Sequence, residues 1–452
     1  MSDHAPSAVP LHPQAPAPVP SRAGGLRRRT VLQGALGLAA SALCGPGGLV
    51  RAQSAALPFA GLNLSGLASN PYVENAQIGT HYRDITDQHI EAAGDCPLFR
   101  LPTTAHRFTR AQGWPLEAAY AAQVETVLDR LAAHGKLAIL ELHDYMRLPR
   151  KVATQGGYAR NAAGQLVGPD GQVVPNPAAA SVWAGVYTLG AFGYVAHHDA
   201  RDGLLRLYEH RVIGTAGCKL FNDGGLPDLW ARIVQRFGAH PAIFGWGLMN
   251  EPYQGPERNA DGSPFLMAPH WLKTAANTVE RIARADRRHR VFVCGNEYAS
   301  ARRWDRVSME LFDIPDPHGL IVYEAHNYLD NGGTGGGAWR QRDEAVHPDT
   351  GIEMVRPFVE ALRAAGKRGF LGEHGYPEGN ASAALATTRM LEYLQQHHVP
   401  STQWCFGPGW PAGSALGMSA DLTPHTVRVK GNIAAVRPFF GARLPDYLPP
   451  PV

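Results

Sequence analysis

Eight short apolar runs, each separated from the next by a longer stretch, constrain this chain more than any other feature of it. They are Gly61 to Leu64, Leu98 to Pro102, Leu137 to Tyr145, Ile243 to Asn250, Val291 to Cys294, Leu320 to Tyr328, Phe370 to Glu373 and Thr402 to Phe406. Short continuous runs of this kind read as strands buried on both faces. Helical patterns fill the intervals at Pro115 to His134, Leu226 to Gly238, Pro269 to Ala285, Gly351 to Ala365 and Ala381 to His397. Strand and helix in alternation build a parallel sheet, and eight such units predict an α/β fold, a (β/α)8 TIM barrel. Such a barrel needs about 250 residues and accepts large loop insertions. The surplus lies at 146–224, a long insertion after the third strand rich in Gly, Ala and Asn. It has neither a linker nor enough apolar residues for a core of its own, so it is read as a loop at the carboxyl-terminal mouth of the barrel, with a helix of its own near 200–209.

The amino terminus is of another kind. Residues 1–26 are rich in Pro, Ala and Ser and lead into Arg27-Arg28-Arg29-Thr30, followed by a mildly apolar stretch to Leu43. Paired arginines before an apolar segment too short to span a bilayer are the pattern of a twin-arginine export signal. Residues 1–52 are therefore expected to be a leader, with 53–452 the barrel domain, periplasmic or secreted. Up to Ala52 there are five arginines against one aspartate, so removal of the leader takes the chain from +3 to −1. The basicity belongs to the leader and is no argument for nucleic acid or membrane as a partner. Leu43 before Cys44 is not the small residue a lipid anchor requires, so no membrane anchor is expected. Four cysteines remain, at 96, 218, 294 and 405; an even count does not by itself establish a disulfide, and Cys294 and Cys405 read as buried thiols in strands.

In such a barrel the reactive groups sit at the carboxyl ends of the strands. Here those ends are polar: Arg100, His143, Asn250 with Glu251, His326 with Tyr328, Glu373 and Trp404. The fourth run is the clearest case, because an apolar strand ends abruptly in Asn250-Glu251-Pro252. A proline cannot donate to a ladder, and it pushes the residue before it out of helix, leaving the Glu251 carboxylate at the strand tip.

These residues resemble the signature of glycoside hydrolase family 5, the cellulase family of clan A. The resemblance is carried by FRLP, LHDY, LMNEP, EAHNY, LGEHG and QW in the family's order. It is nearest the endo-β-1,4-glucanase branch through WLKTAANTVERIARAD, GNEYASARRW and YEAHNYLDNGGTG. It implies a retaining hydrolysis of β-linked polysaccharide or oligosaccharide without cofactor or metal. Glu373 would be the nucleophile and Glu251 the acid/base, on strands that face each other across the barrel; retention needs two carboxyl groups about 5 Å apart. Arg100 and Tyr328 would bond Glu373, and Asn250 the sugar 2-hydroxyl. His143 and His326 would position substrate hydroxyls and the acid/base, and Trp404 would floor the sugar at the cleavage point.

Glu141 and Glu324 lie two residues before the histidines and one layer deeper, and are expected to be buried partners of Arg or His. Glu297, after the fifth strand, could touch substrate. His197-His198-Asp199 reads as solvated rather than metal-binding, and Gly332 to Gly337 as a flexible loop beside the cleft. Three departures from the family, Ala105-His106-Arg107, His374 and the insertion, are expected to border the cleft and bear on the substrate. Mannan, xyloglucan, β-1,3-glucan and exo action remain open, as does a glycan-binding protein on a retired barrel. An open groove lined by Trp339 and Trp410 would favour endo action. Oligomeric state is not legible.

Overall fold

In the computed structural model the eight expected strands close on themselves. We number them β1 Ala60–Leu64, β2 Leu98–Thr103, β3 Leu137–Leu142, β4 Ile243–Gly247, β5 Arg290–Cys294, β6 Ile321–His326, β7 Gly369–Glu373 and β8 Ser401–Phe406. All neighbours are parallel, and β8 pairs with β1 to complete the barrel. The structure describes residues 57–69, 76–151, 159–163, 165–168, 170–173, 186–189, 194–198, 205–410, 413–423 and 425–444. The leader thus lies outside the described residues, as does Asp199; Gln53–Val452 form one compact unit.

The helices are α1 Asp87–Ala92, α2 Ala118–Ala133, α3 Gly225–Phe237, α4 Met267–Ala285, α5 Thr350–Ala365 and α6 Ala381–Gln396. Five match the sequence reading to within three residues at each end; α1 is too short to show a period. In α3 the buried residues Leu226, Leu229, Trp230, Ile233, Val234 and Phe237 recur at helical spacing, giving one apolar face toward the sheet. No long helix separates β5 from β6; short turns put Trp304 there instead, its ring 4.6 Å from Phe358 of α5.

Inside the barrel, side chains stack in layers two residues apart. Leu98, Ile139, Phe292, Val322 and Phe370 form an apolar plug at the bottom. Two residues further along the same strands stand Arg100, Glu141, Cys294, Glu324 and Gly372. One more step brings His143 and His326 to the top. Gly247 and Gly372 make the middle layer possible by close approach. A Cβ on Gly247 would lie 2.4 Å from the Glu141 Cβ, and one on Gly372 would lie 2.0 Å from the Glu324 carboxylate.

The insertion departs from expectation in one respect. The segment expected to hold a helix near 200–209 contains a strand, Leu205–Val212, paired antiparallel with both Arg147–Lys151 and Tyr194–His198 in a four-stranded sheet completed by Val186–Leu189. The order Leu-Arg-Leu-Tyr-Glu-His-Arg-Val has no helical apolar stripe, and antiparallel partners on both sides decide for extended chain. His197 and His198 lie within a strand of that sheet. Met146, Leu148, Val212, Ile213, Cys218 and Leu220 join the main core, so both ends of the insertion are anchored in the barrel domain. Cys96, Cys218, Cys294 and Cys405 are buried free thiols.

Candidate active site

At the end of β4 the regular strand stops at Gly247, but Leu248 N–H still donates to Phe292 O and Asn250 N–H to Leu142 O. Between Asn250 and Pro252 the chain takes φ 43° at Glu251. A left-handed glutamate is a strained conformation, and such strain persists where surroundings over-determine it. Here the Glu251 N–H lies 3.4 Å from Cys294 Sγ and its Oε1 lies 2.7 Å from His326 Nδ1. Glu373 ends β7 with ordinary backbone.

In the closed order β4 and β7 are separated by β5 and β6, so they stand three strands apart and not face to face. His326 of β6 fills the space between. Carboxylate oxygens of Glu251 and Glu373 and a ring nitrogen of His326 all lie within 4.8 Å of one another. The two carboxyls are held differently. Glu373 Oε1 accepts from Arg100 Nη1 at 3.1 Å and Oε2 from the Tyr328 hydroxyl at 2.7 Å. Burial disfavours its ionisation, yet His326, Arg100, His143 and the Tyr328 bond outweigh it, and its pKa lies below the usual carboxylate range. Glu251 is shifted the other way, mainly by burial and then by the neighbouring Glu373 charge, against the His326 hydrogen bond.

The middle layer supplies the charge balance. Arg100 is 1% exposed and lies 3.2 Å from Glu141 and 2.8 Å from Glu324 as well as bonding Glu373. It also donates to Asn63 Oδ1 at 3.0 Å and Asn250 Oδ1 at 2.7 Å. Burial opposes its charge, but the three carboxylates raise its pKa further. Glu141 holds His143 Nδ1 at 2.7 Å, and Glu324 lies 3.2 Å from His326 Nε2. Each carboxylate beneath a histidine fixes its ring; the neighbouring Glu373 charge, then Cys294 and the Glu251 hydrogen bond, raise the His326 pKa well above its usual value despite burial. The clusters Cys294–Glu324–His326 and Glu251–His326–Glu373 offer ligand-type atoms, but those of His326 already serve these pairs.

Trp404 stacks on His143 with ring centres 5.1 Å apart and 17° between planes, and Trp410 stands edge-on to it at 6.2 Å. The predicted site residues Arg100, His143, Asn250, Glu251, His326, Tyr328, Glu373 and Trp404 are therefore brought to one place. Several others play different parts from those expected. Trp339 is 2% exposed and packs in an apolar cluster with Tyr328 and Leu329, so it lines no groove. His374 is buried, and its backbone O accepts from Trp404 N–H. Arg107 lies over the Tyr82 ring and donates to Leu67 O, holding loops together. Glu297 does line the cleft beside Glu251, and its Oε1 also accepts from Gln254 N–H, bracing the loop after Glu251.

Sequence reading missed Asn63, which donates to Gly372 O and accepts from Arg100, and Tyr145, whose hydroxyl lies 3.3 Å from His143 Nε2. The one polar residue inside the apolar run of β1 was the signal for Asn63. It also missed a stack beside the acid: Tyr253 lies 4.4 Å from Tyr298 with 11° between planes, and the Arg147 guanidinium covers Tyr253 at 3.9 Å. A cleft of ≈ 470 Å³ opens there, lined among others by Tyr145, Glu251, Tyr298, His326 and Tyr328.

An eight-stranded parallel barrel with two unlike carboxyl groups at its carboxyl-terminal mouth is the architecture of barrel glycosidases. The sequence profile of Cellulase (glycosyl hydrolase family 5) matches residues 58–409, and the chain belongs to that family. A probable endo-β-1,4-glucanase B of Neosartorya fischeri is 34% identical over 149 residues, 30% of this chain and 43% of the relative. The chain spans less than half the length of the curated relatives it matches. Among solved structures, the endoglucanase Cel5A of Pseudomonas stutzeri in complex with cellobiose superposes with TM-score 0.64 and 23% identity, over 88% of this chain and 99% of that one. An endo-β-1,4-glucanase of Xanthomonas axonopodis pv. citri gives 0.61 and 21%, over 85% and 98%. At such identity these two show the shared fold.

Proposed function

We propose that this chain is a retaining endo-β-1,4-glucanase working by double displacement. One observation carries the reading: carboxylate oxygens of Glu251 and Glu373 lie within 4.8 Å of each other with opposite pKa shifts. That spacing leaves no room for the water that inversion places between acid and base, and suits a nucleophile and acid on one bond. Glu373, ionised, attacks the anomeric carbon while Glu251 gives its proton to the leaving oxygen. Once the glycosyl ester has formed the negative charge beside Glu251 is gone, its pKa falls, and it takes the proton from the incoming water. Tyr328 and Arg100 hold Glu373 in line, Asn250 faces the 2-hydroxyl, and Trp404 backed by His143 floors the sugar ring. A retired glycan-binding barrel has no use for this polarised pair. The relatives named above support β-1,4-glucan as substrate, and the arginine pair of the leader supports export.

The test is a product profile over time on carboxymethylcellulose, mixed-linkage glucan, xyloglucan, laminarin and mannan. Internal cleavage of the β-1,4-glucans is expected. Glu373→Gln should lower kcat by about four orders of magnitude or more with Tm unchanged. Glu251→Gln should lose about 10²–10⁴-fold on cello-oligosaccharides and far less on aryl glycosides with acidic leaving groups. Full activity in Glu373→Gln would overturn the assignment.

A further inference from the structure

The cleft beside Glu251 holds two cations that the mechanism above does not use. Arg302 and Arg303 both line it, together with Glu251 and Tyr298; Glu373 is not among its lining residues. Glu251, the proton donor of the mechanism above, opens onto this cleft, and a leaving group that takes its proton would sit there. Arg303 Nη2 lies 3.7 Å from Glu297 Oε2, too long for a hydrogen bond, and the Arg303 Nε is buried without a hydrogen-bond partner. Arg302, half-buried, has no ion pair or side-chain hydrogen bond among the described residues. The carboxyl groups among the lining residues are Glu251 and Glu297, and Glu297 is already bonded to Gln254 N–H.

The same cleft offers a rigid face for a sugar ring. Glu297, Tyr298 and Ala299 take φ values of 54°, 60° and 54°, three successive residues in the left-handed region. This strained segment presses Tyr298 against Tyr253, with Arg147 behind, while leaving Tyr298 49% exposed. An aromatic face beside paired guanidinium forks recognises a pyranose that carries a carboxylate, since the planar fork matches a carboxylate with two parallel hydrogen bonds.

Resting on the hydrolase reading above, we propose that the leaving-group side of the cleft is a uronate subsite, formed by Tyr298, Arg302 and Arg303, and that the substrate class is an acidic β-glucan with C6 carboxylates.

The test compares cellohexaose with cellohexaose partly oxidised at C6 to glucuronate. The wild-type protein should show the higher kcat/KM on the oxidised substrate at low salt, an advantage that shrinks toward ~0.5 M NaCl as half-buried charges are screened. Arg302→Gln and Arg303→Gln should each lower the ratio of oxidised to neutral kcat/KM by about tenfold, the size of one charge-assisted contact. Equal losses on both substrates would show that the arginines serve sugar hydroxyls and would overturn the proposal. Calorimetric binding of the two oligosaccharides to Glu373→Gln separates the two readings. Tighter binding of the oxidised form without hydrolysis by the wild-type protein would keep the subsite and remove the hydrolase. Equal Kd values would remove the subsite whatever the enzyme cleaves.

Discussion

Tyr328 and Glu373 show how much a single hydroxyl can set. The Tyr328 O–H donates 2.7 Å to the carboxylate that must stay ionised, and it is one of the groups that lower the Glu373 pKa. Catalysis needs Glu373 without its proton and Glu251 with one. Activity is therefore lost as pH falls through the depressed Glu373 pKa and again as it rises through the elevated Glu251 pKa, giving a bell. In Tyr328→Phe the Glu373 pKa rises, so the acidic limb of kcat/KM moves to higher pH while the basic limb stays within experimental error. A profile shifted on the basic limb alone would assign Tyr328 to the acid instead. At this scale the sequence was readable because a strand-end position dictates exposure to the mouth. The pairing of Glu141 and Glu324 with Arg100 and the histidines was readable for the same reason; the burial of His374 and Trp339 was not, because it depends on neighbours from other strands.

Among the elements, β7 and the loop after β3 carry the least slack. Gly372 sits where any Cβ would meet the Glu324 carboxylate, and through it the Arg100 and His326 bonds. Gly372→Ala is expected to destabilise by about 1–3 kcal/mol, as overpacked cores do, and to move the pH optimum, because Glu324 must shift. A thermal melt and a pH profile check both halves. Arg147, the first residue of the insertion's sheet, donates to Glu257 Oε1 at 2.5 Å and to Tyr253 O at 3.0 Å and so ties the loop after β3 to the loop after Glu251. Arg147→Met leaves Glu257 without its cation. A loss of about 2 kcal/mol is expected, less than for a fully buried pair because Glu257 is partly exposed, together with a rise in KM larger than the fall in kcat. Urea unfolding and steady-state kinetics on cello-oligosaccharides would show it. Helix and strand spans were legible from apolar periodicity, whereas the sheet of the insertion was not, since short antiparallel strands draw their stability from partners distant in sequence.

On the scale of the whole molecule, the described barrel domain begins and ends in one place: Leu57–Pro58 pairs antiparallel with Arg443–Leu444, and Phe59 N–H donates to Ala442 O. A chain starting at Gln53 should accordingly fold with a Tm within about one degree of the full-length protein and with unchanged kcat. A large loss of Tm would assign the leader a structural part. What the sequence alone determined is the barrel, its five long helices and which side chains stand at the strand ends, because strand period and strand-end position are local properties of the chain. Only the tertiary structure decided that His326 stands between the two glutamates, that Arg100 serves three carboxylates, and that Tyr298 and two arginines share a cleft. Those relations join residues far apart in the chain, and closure of the barrel is what puts them within a few ångströms of each other.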